Sequence, residues 1–397
     1  MGGLKNENII CFAGEDWWYH NPHSNLHIMK CFAKDNRVLF VNSIGLRMPN
    51  IFADKKSWGR IFKKLKSLLV FLRKAETNIW VLTPWVVPVI GGQSAAIERL
   101  NRALLKTQIL WVMKSLKMSK PVLWVCLPSF KDIAFTLREK GVKAMAYYCV
   151  DNISFYTGAD QKYIFSLDVA LQKEADVAFF VNHKLVEERK VHNPNTHFLP
   201  HGVDYDHFAA CQSGKLPIPE DIARIPEPRV GYMGAIFQLD YELVEFLAKK
   251  NPHVSFVFIG EVQEDTSRVD KLPNVFFLGK KSYDSIPNYL EALKCHCLFY
   301  DSKDTFNNYR NPKKLKEYLA TGTPVVSMTN FEIVYYKDLV GVADDYESFD
   351  RLLNEALKND SPEQRQKRID YAKKQTWEDV AMLAGNKILE SIGTKGN

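Results

Sequence analysis

Residues 310–327 read RNPKKLKEYLATGTPVVS, a helix signal followed at once by a strand signal. Asn311 is a good N-cap, and the proline after it suits the first helical position. Gly322 suits the C-terminal cap, and the proline two residues later prevents further helix. The pattern predicts a helix over 312–321 and a strand over 323–327, which is a repeating element of α/β folds.

Short apolar runs of strand type recur on both sides of this stretch. They cover residues 9–13, 38–41, 79–82, 122–126, 144–150, 177–181, 229–233, 255–260, 275–278 and 297–300. The runs are rich in Val, Ile and Phe and alternate with helical patterns, which indicates βαβ units and parallel sheets. One sheet with so many strands would be unusually wide, so we predict two doubly wound domains.

A proline-rich segment separates the two halves. Residues 211–228 hold four prolines and show no apolar periodicity, which is typical of a linker. We predict an N-terminal domain over 1–207, a linker over 208–228, a C-terminal domain over 229–375 and a C-terminal helix over 376–397. Doubly wound sheets bind ligands beyond the carboxyl ends of their strands, so the two Rossmann-like domains are expected to face a central cleft.

The overall composition is that of an ordinary globular protein. The 397 residues are 46% hydrophobic and 25% charged, which excludes wholesale disorder and a disulfide-rich mini-protein. The net charge of +7 is mild for this length, and no base-stacking motif accompanies the basic residues, so no nucleic-acid partner is expected. Seven scattered cysteines and the lack of a long apolar run predict a cytoplasmic protein.

Three lysines crowd the first turns of the helix predicted over 312–321. Lys313, Lys314 and Lys316 oppose the helix dipole, at a cost of roughly 0.3–1 kcal/mol each. An anion site would use the same arrangement, because free N–H groups, the dipole and an ammonium group converge there. Glu317, one turn beyond Lys314, could accept hydrogen bonds from ribose hydroxyls. The alternative is a solvated lysine face with a surface pair between Lys314 and Glu317.

The pattern N-P-x-K-L-x-E-Y-L-A-x-G-x-P-V-V resembles the donor-nucleotide motif of the GT-B glycosyltransferases, especially the broad family 4. The resemblance implies that Lys314 binds the diphosphate of a sugar nucleotide and that Glu317 binds its ribose. Arg310 is assigned to the same donor site. Family members often carry a second Glu eight positions upstream that contacts the sugar, whereas this chain has Tyr309 there.

The resemblance extends over much of the C-terminal half. Residues 199–208 resemble the N-G-V-D…F segment of the family, 230–236 its strand and glycine turn, and 274–279 its N-V-x-x-L-G loop. It implies that Gly234 lies at the diphosphate and Tyr283 near the base. A glycine lets the backbone approach a ligand closely, although an ordinary left-handed turn is the alternative reading of Gly234.

A carboxylate follows the strand run over 144–150. The segment YYCVDNIS around Asp151 is similar to the family 70 glucuronosyltransferase of xanthan assembly and to teichuronic-acid-type enzymes within family 4. In the family 70 enzyme the Asp at this position is the proposed general base. The resemblance therefore implies that Asp151 removes the proton of the acceptor hydroxyl. An Asx turn or a helix cap is the alternative.

The loop after the first strand, GEDWWYHNPH over 14–23, concentrates aromatic, acidic and imidazole groups. Trp17 and Trp18 can stack on the faces of an acceptor sugar, and His20 can relay a proton. The alternative is that the two tryptophans pack beneath the loop. The histidines of this loop form no recognisable metal motif.

Residues 55–74 hold eight basic residues and no acidic one. Their apolar residues fall on one helical stripe, which predicts a basic amphipathic helix at a membrane surface. The expected contacts with an anionic inner leaflet are Lys63, Lys64, Lys66 and Arg73. A helix packed on the core with a solvated basic face is the alternative.

Taken together, these features predict a glycosyltransferase of hexosyl type that needs no metal. It would move a sugar from a nucleotide-diphosphate sugar, UDP-linked, to a saccharide or lipid-linked saccharide acceptor in exopolysaccharide or other cell-surface polysaccharide biosynthesis. The nucleotide-sugar is a co-substrate, so no cofactor is expected. A sugar-nucleotide 2-epimerase and a non-catalytic nucleotide-sugar-binding homologue stay open. A nicotinamide-dependent oxidoreductase is disfavoured, because no strand in 1–60 or 229–260 leads into Gly-x-Gly-x-x-Gly.

Overall fold

The computed structural model describes residues 3–18, 23–43, 71–87, 95–150, 152 and 161–394. The chain divides into two compact units. The first unit comprises Met1–Val181, Leu185–Leu199 and Val380–Asn397, and the second comprises Asn182–Lys184 and Pro200–Asp379. Both units are built around mostly parallel sheets, so the predicted class of two doubly wound α/β domains is confirmed.

The first unit contains, within the described ranges, an eight-stranded sheet in the order β3-β4-β2-β1-β5-β6-β7-β8. Its strands are β1 (Asn8–Phe12), β2 (Arg37–Val41), β3 (Leu72–Glu76), β4 (Ile79–Leu82), β5 (Val122–Val125), β6 (Ala144–Cys149), β7 (Val177–Phe180) and β8 (Thr196–Phe198). Strand β3 pairs with β4 in antiparallel fashion, and the other neighbours are parallel. The chain runs outward from β1 on one side and returns to β5 on the other. The switch point of this sheet therefore lies between β1 and β5.

Helices cover the faces of this sheet. They are α1 (Ser24–Phe32), α2 (Ala95–Ser115), α3 (Lys131–Glu139), α4 (Gln161–Glu174) and α5 (His183–Arg189), and a short 3₁₀ helix spans Pro128–Phe130. Every residue of β6 is buried, as expected for a parallel strand that is covered on both sides.

The second unit contains, as far as the chain is described, a six-stranded parallel sheet in the order β11-β10-β9-β12-β13-β14. Its strands are β9 (Arg229–Met233), β10 (Ser255–Ile259), β11 (Val275–Gly279), β12 (Cys295–Leu298), β13 (Val325–Met328) and β14 (Gly341–Ala343). Here the switch point lies between β9 and β12.

Eight helices follow β8 in the described part of the chain, and the last three of them follow β14 in succession. They are α6 (Tyr205–Ala209), α7 (Glu220–Ala223), α8 (Tyr241–Lys250), α9 (Ile286–Glu291), α10 (Lys313–Thr321), α11 (Tyr346–Lys358), α12 (Pro362–Lys373) and α13 (Trp377–Gly393). Short 3₁₀ helices span Ala210–Ser213, Tyr283–Ser285, Thr305–Tyr309 and Ile333–Tyr336. None of the helices in the described residues is long and apolar enough to cross a membrane.

All eleven strand-type runs recognised in the sequence overlap a strand of the structure. Three strands, β3, β8 and β14, were not predicted. Strand β3 reads LRKAE and has two exposed basic residues, so it lacks the apolar run of a buried strand. It is formed by pairing with β4 at the edge of the sheet, which the local sequence does not signal.

The segment predicted as a linker, 208–228, packs on the second unit. Cys211 and Ile222 are buried in the core of that unit. The Cys211 thiol donates to the Pro287 carbonyl at 3.1 Å, and the Asn288 amide donates to the Pro217 carbonyl at 2.8 Å. These apolar residues have no regular spacing, so their burial depends on helix α9 rather than on local periodicity.

The helix predicted over 55–74 lies mostly outside the described residues, and Lys63, Lys64 and Lys66 are among those not described. The last residues of this segment are described, and the helix prediction is wrong there, because Leu72 and Arg73 belong to strand β3 and pair with β4. The Arg73 guanidinium lies over the ring of Trp18, 4.4 Å from the ring centroid. Strand pairing thus overrides the helical apolar spacing at this end.

Candidate functional site

A glycine turn follows strand β9 and leaves space beside a lysine of helix α10. Gly234 has a φ of +133°, a conformation that L side chains rarely adopt. A Cβ atom at this position would lie 2.7 Å from the Nζ atom of Lys314. The turn therefore requires glycine for its conformation and for the room that the lysine occupies.

The ammonium group of Lys314 lies at the switch point of the second sheet. It donates a hydrogen bond to the Tyr232 hydroxyl. Its Nζ is 3.9 Å from the centroid of the Tyr232 ring and 5.9 Å from that of Tyr300. Tyr232 belongs to β9 and Tyr300 follows β12, and the switch point lies between these two strands. Open α/β sheets bind ligands at this place.

Burial makes the charge of Lys314 costly. The residue keeps partial exposure, but its ammonium group is enclosed by aromatic side chains. Desolvation, the largest cause, and the nearby Arg310 guanidinium together lower the pKa of Lys314 to about 7, while Glu317 acts in the opposite direction. A bound anion at this position would favour the charged form.

Arg310 adds a second cation to the same place. Its guanidinium donates to the Gln238 side-chain oxygen at 2.5 Å and lies 5.3 Å from the Tyr300 ring centroid and 5.0 Å from that of Phe306. Arg310 and Lys314 thus flank Tyr300, which follows β12. Two cations held side by side against each other's repulsion are suited to a ligand with more than one negative charge.

Helix α10 begins one residue later than predicted, and the predicted cap is wrong. Pro312 occupies the N-cap position and makes no side-chain capping bond. Asn311 donates its amide to Glu332 at 3.2 Å instead, because that buried carboxylate draws hydrogen-bond donors. The N-cap residue of α10 therefore supplies no side-chain cap, and this helix end, which attracts anions, lies beside the two cations. Gly322 adopts the predicted left-handed conformation at the other end, with a φ of +78°.

Glu317 is buried one turn into the helix, with 6% of its surface exposed. Its ion pair is with Lys313, at 3.4 Å from Nζ to Oε1, and not with Lys314 as the surface-pair alternative supposed. The i,i+4 spacing brings Lys313 over Glu317 and leaves Lys314 directed toward β9.

Tyr283 lies near Glu317. Burial, together with the charges of Glu317 and Asp204, raises the pKa of Tyr283 well above its usual value. Its ring stacks on His207 with centroids 4.4 Å apart and 11° between the planes, and Phe208 meets it edge-on at 5.9 Å. One face of Tyr283 is thus already covered, and its expected contact with a nucleotide base stays a prediction.

The remaining lysine of the cluster points away from this site. Lys316 is fully buried, and its Nζ has no hydrogen-bond partner among the described residues. Burial lowers its pKa to about 8, and the charge of Glu332 acts in the opposite direction. The three lysines therefore have three environments, although the sequence presents them as one cluster.

Comparisons with known proteins place this fold. No family model matches the sequence, and a search among curated proteins finds no match. Among solved structures, a sucrose-phosphate synthase from Thermosynechococcus elongatus is similar, with a TM-score of 0.65, 12% identity, and coverage of 98% of this chain and 100% of that one. An α,α-trehalose-phosphate synthase (UDP-forming) from Burkholderia xenovorans in complex with glucose-6-phosphate is also similar, with a TM-score of 0.64, 11% identity, and coverage of 98% of this chain and 100% of that one. A third structure, described as trehalose-6-phosphate from E. coli bound with UDP-2-fluoro glucose, has a TM-score of 0.64 and 10% identity, and the match covers 96% of this chain and 99% of that one.

The fold is GT-B. Identities of 10–14% to these structures establish the fold alone. The expected resemblance to GT-B glycosyltransferases is confirmed at the level of the fold, whereas membership of family 4 or likeness to the xanthan enzyme stays a prediction.

Two residues of the acceptor site predicted in the first unit are described, and both have packing partners. The Trp17 ring meets Phe40 edge-on at 5.0 Å, and its backbone N–H donates to the Asn42 side chain at 2.9 Å. Trp18 lies beneath the Arg73 guanidinium. Their role in binding an acceptor stays a prediction. The catalytic candidate Asp151 and the proposed relay His20 lie outside the described residues.

Sequence reasoning missed the residues that surround Lys314. Tyr232, Tyr300 and Gln238 lie in or just after strand-type runs, so they read as core or as ordinary loop. The available signal was position, because each lies near the carboxyl end of β9 or β12. No group of three His, Cys, Asp or Glu side chains within the described ranges is arranged to hold a metal ion.

Proposed function

We propose that this chain is a glycosyltransferase whose second unit binds a nucleotide-diphosphate sugar. The supporting observation is the Lys314 ammonium at the switch point of the second sheet, beside Gly234 and the start of α10, where the N-cap residue Pro312 makes no side-chain capping bond. Backbone N–H groups, a helix dipole and two cations converge there, which suits a diphosphate.

In this proposal the diphosphate is both the anchor and the leaving group. When the bond to the anomeric carbon breaks, negative charge grows on the diphosphate, and Lys314 and Arg310 stabilise it. These fixed cations can supply the positive charge that a metal ion would bring, so we predict catalysis without one. The proposal has Glu317 accept hydrogen bonds from the ribose, and Tyr283 lies near this carboxylate.

We propose UDP as the nucleotide and a saccharide or lipid-linked saccharide as the acceptor. Among the structural neighbours, one is described as UDP-forming and another is bound with UDP-2-fluoro glucose, which supports a UDP-linked donor. The motif resemblance to family 4 and to the xanthan enzyme supports a role in cell-surface polysaccharide biosynthesis. Asp151 is the proposed base, and a peripheral position at an anionic membrane remains part of the proposal.

Calorimetric binding of UDP, GDP and ADP tests the donor assignment. We expect UDP to bind best, and Lys314→Ala to weaken this binding about 100-fold, because a hydrogen bond between charged groups is worth roughly 1.5–3 kcal/mol. Lys316→Met is the matched control. It also removes a buried lysine from α10, but that lysine lies near Glu332 and not at the proposed donor site.

The result that contradicts the proposal is equally clear. If none of the three nucleotides binds, or if Lys314→Ala and Lys316→Met weaken binding equally, the second unit is not this donor site. If UDP binds, product analysis with a UDP-sugar alone separates transfer from 2-epimerisation, because an epimerase yields the 2-epimeric sugar, whereas a transferase without its acceptor yields at most UDP and the unchanged free sugar.

A further inference from the structure

The loop that leads from β9 to α8 is held by a carboxylate of the neighbouring loop. The backbone N–H group of Gln238 donates to Glu264 Oε2 at 3.0 Å, and that of Leu239 donates to Oε1 at 3.3 Å. Glu264 belongs to the loop after β10, the strand that pairs with β9. Each carboxylate oxygen therefore accepts one of two successive N–H groups, which fixes the turn at both residues.

The backbone of Gln238 has a conformation that favours glycine. Its φ is +55°, in the left-handed region, which is unfavourable for a residue with a Cβ atom. Such conformations persist where the surrounding structure holds them, and they cluster at functional sites. Glutamine gains nothing for its backbone at this position, so the reason for its presence lies in its side chain.

The side chain of Gln238 contacts the candidate donor site. Its Oε1 accepts a hydrogen bond from Arg310 Nη2 at 2.5 Å. The guanidinium also lies 5.3 Å from the ring centroid of Tyr300 and 5.0 Å from that of Phe306. A guanidinium is a rigid planar fork, so these contacts fix the directions of its other N–H donors. Arg310 keeps partial exposure, so a ligand can still reach it.

The group that orients Arg310 is an amide, which carries no charge. A carboxylate at the same place would form an ion pair with the guanidinium and offset the positive charge that a diphosphate requires. The amide oxygen orients the guanidinium and leaves its full charge for a ligand. The carboxylate of Glu264 is used instead on the backbone N–H groups of the loop.

We propose that Gln238 is a positioning residue of the donor site. It directs the Arg310 guanidinium at the diphosphate without neutralising it, and Glu264 holds the loop conformation that this task requires. The assignment deepens the proposed function and rests on it, because it gives the same site a further residue. The unfavourable φ of Gln238 follows from the need for an uncharged acceptor at this point of the loop.

Titrations of the full chain with UDP, by calorimetry, and with uridine, by ligand chemical shifts, test this role. We expect Gln238→Gly and Gln238→Glu each to weaken UDP binding about tenfold. The first variant removes the group that orients Arg310, and the second keeps an acceptor of the same size but neutralises the guanidinium. Uridine has no phosphate group, so it should bind both variants as it binds the native chain.

Thermal unfolding separates positioning from a structural role. Gln238→Gly relieves the unfavourable φ, so its unfolding midpoint should equal or exceed that of the native chain while UDP binding falls. A residue with only a structural role would lose stability together with binding. Asn6→Gly is the matched control, because Asn6 is exposed, has a φ of +57° and belongs to the first unit. It should relieve the same strain and leave UDP binding unchanged.

The inference is overturned if either folded variant of Gln238 binds UDP as tightly as the native chain. It is also overturned if uridine binding falls as much as UDP binding, because the whole loop would then be disturbed. Lys314→Ala, measured alongside, distinguishes the two proposals, since a loss of UDP binding there without one at Gln238 leaves the donor site intact. If the native chain does not bind UDP, the proposed function fails, and this inference fails with it.

Discussion

The two switch points of this protein carry opposite charges. At the first, an acid, Glu15, has its pKa raised to about 7; at the second, a base, Lys314, has its pKa lowered to about 7. Burial is the largest cause in both cases, since removing water penalises whichever form is charged. The same physical effect therefore moves an acid and a base toward neutrality from opposite sides.

The two turns differ in what fills them. The carboxylate of Glu15 is buried and accepts a hydrogen bond at 3.1 Å from the side-chain amide of Asn25, near the start of α1. Lys314 instead reaches from α10 to β9, and Pro312, the N-cap residue of its helix, makes no side-chain capping bond. Equivalent positions in the two sheets thus hold a desolvated acid in one unit and a desolvated base in the other.

The largest expected effect is on stability, where the two groups should respond to pH with opposite signs. Between the unfolded pKa of 4.5 and about 7, the folded chain holds the Glu15 proton more tightly, so the free energy of unfolding falls as pH rises, by up to about 3 kcal/mol. Between about 7 and 10.5, the unfolded chain holds the Lys314 proton more tightly, so this free energy rises with pH by a few kcal/mol.

Hydrogen exchange of the β1 amides and of the β9 amides measures the pH dependence of the free energy of unfolding in the first and the second unit, respectively. Glu15→Gln should remove the low-pH slope at β1, and Lys314→Met should remove the high-pH slope at β9 and stabilise that unit at neutral pH. Slopes that persist in both variants would show that other groups cause them.

Gly234→Ala should weaken UDP binding about 100-fold. The added Cβ would displace the Nζ of Lys314, and alanine in this positive-φ conformation would cost roughly 1–3 kcal/mol of backbone strain. Gly214→Ala provides the control, since Gly214 also has a positive φ, of +63°, but no atom lies within 4 Å of the added Cβ. It should cost stability and spare binding. Equal losses of affinity in the two variants would argue against a site at Gly234.

UDP binding should take up a proton above neutral pH. A diphosphate favours charged Lys314, so affinity should fall as pH rises above about 7, by at most tenfold per unit. Calorimetry in two buffers with different ionisation heats measures the uptake, and Lys314→Met should abolish it. Uptake that is unchanged in this variant would assign the proton to another group.

The smallest expected effect concerns the ribose. Glu317→Gln should reduce the preference for UDP over 2′-deoxy-UDP by about tenfold or less, since one charged hydrogen bond is worth roughly 1.5–3 kcal/mol and the amide retains part of it. Glu242→Gln, an exposed acid on α8 that pairs with Arg268, is the control. A preference that survives in Glu317→Gln would remove the ribose role.

Much of the fold follows from local patterns. Apolar runs identify the buried strands, because a parallel strand covered on both faces needs apolar side chains in both directions. The helix over 313–321 and its left-handed cap at Gly322 follow from propensity alone. Strand β3 does not, because its polar sequence is held by its pairing with β4.

The candidate site also has a part that the sequence predicted and a part that it could not. The sequence by itself placed Lys314 and Glu317 on one short helix, whereas the resemblance to the GT-B motif, and not spacing, assigned Gly234 to the same site. It could not decide which lysine faces the site, nor that Lys313 is the partner of Glu317.

Those choices depend on tertiary structure, for a physical reason. Successive helical residues are turned by about 100°, so Lys314 and Lys316 point to nearly opposite sides, and only packing fixes which side meets the sheet. The Tyr232 hydroxyl that receives Lys314 comes from a strand 82 residues away in the sequence. Desolvation by such distant groups sets the pKa values of Lys314 and Glu15. The sequence therefore determined which charged groups exist near the strand ends, and the tertiary structure decided which of them are buried, paired or left for a ligand.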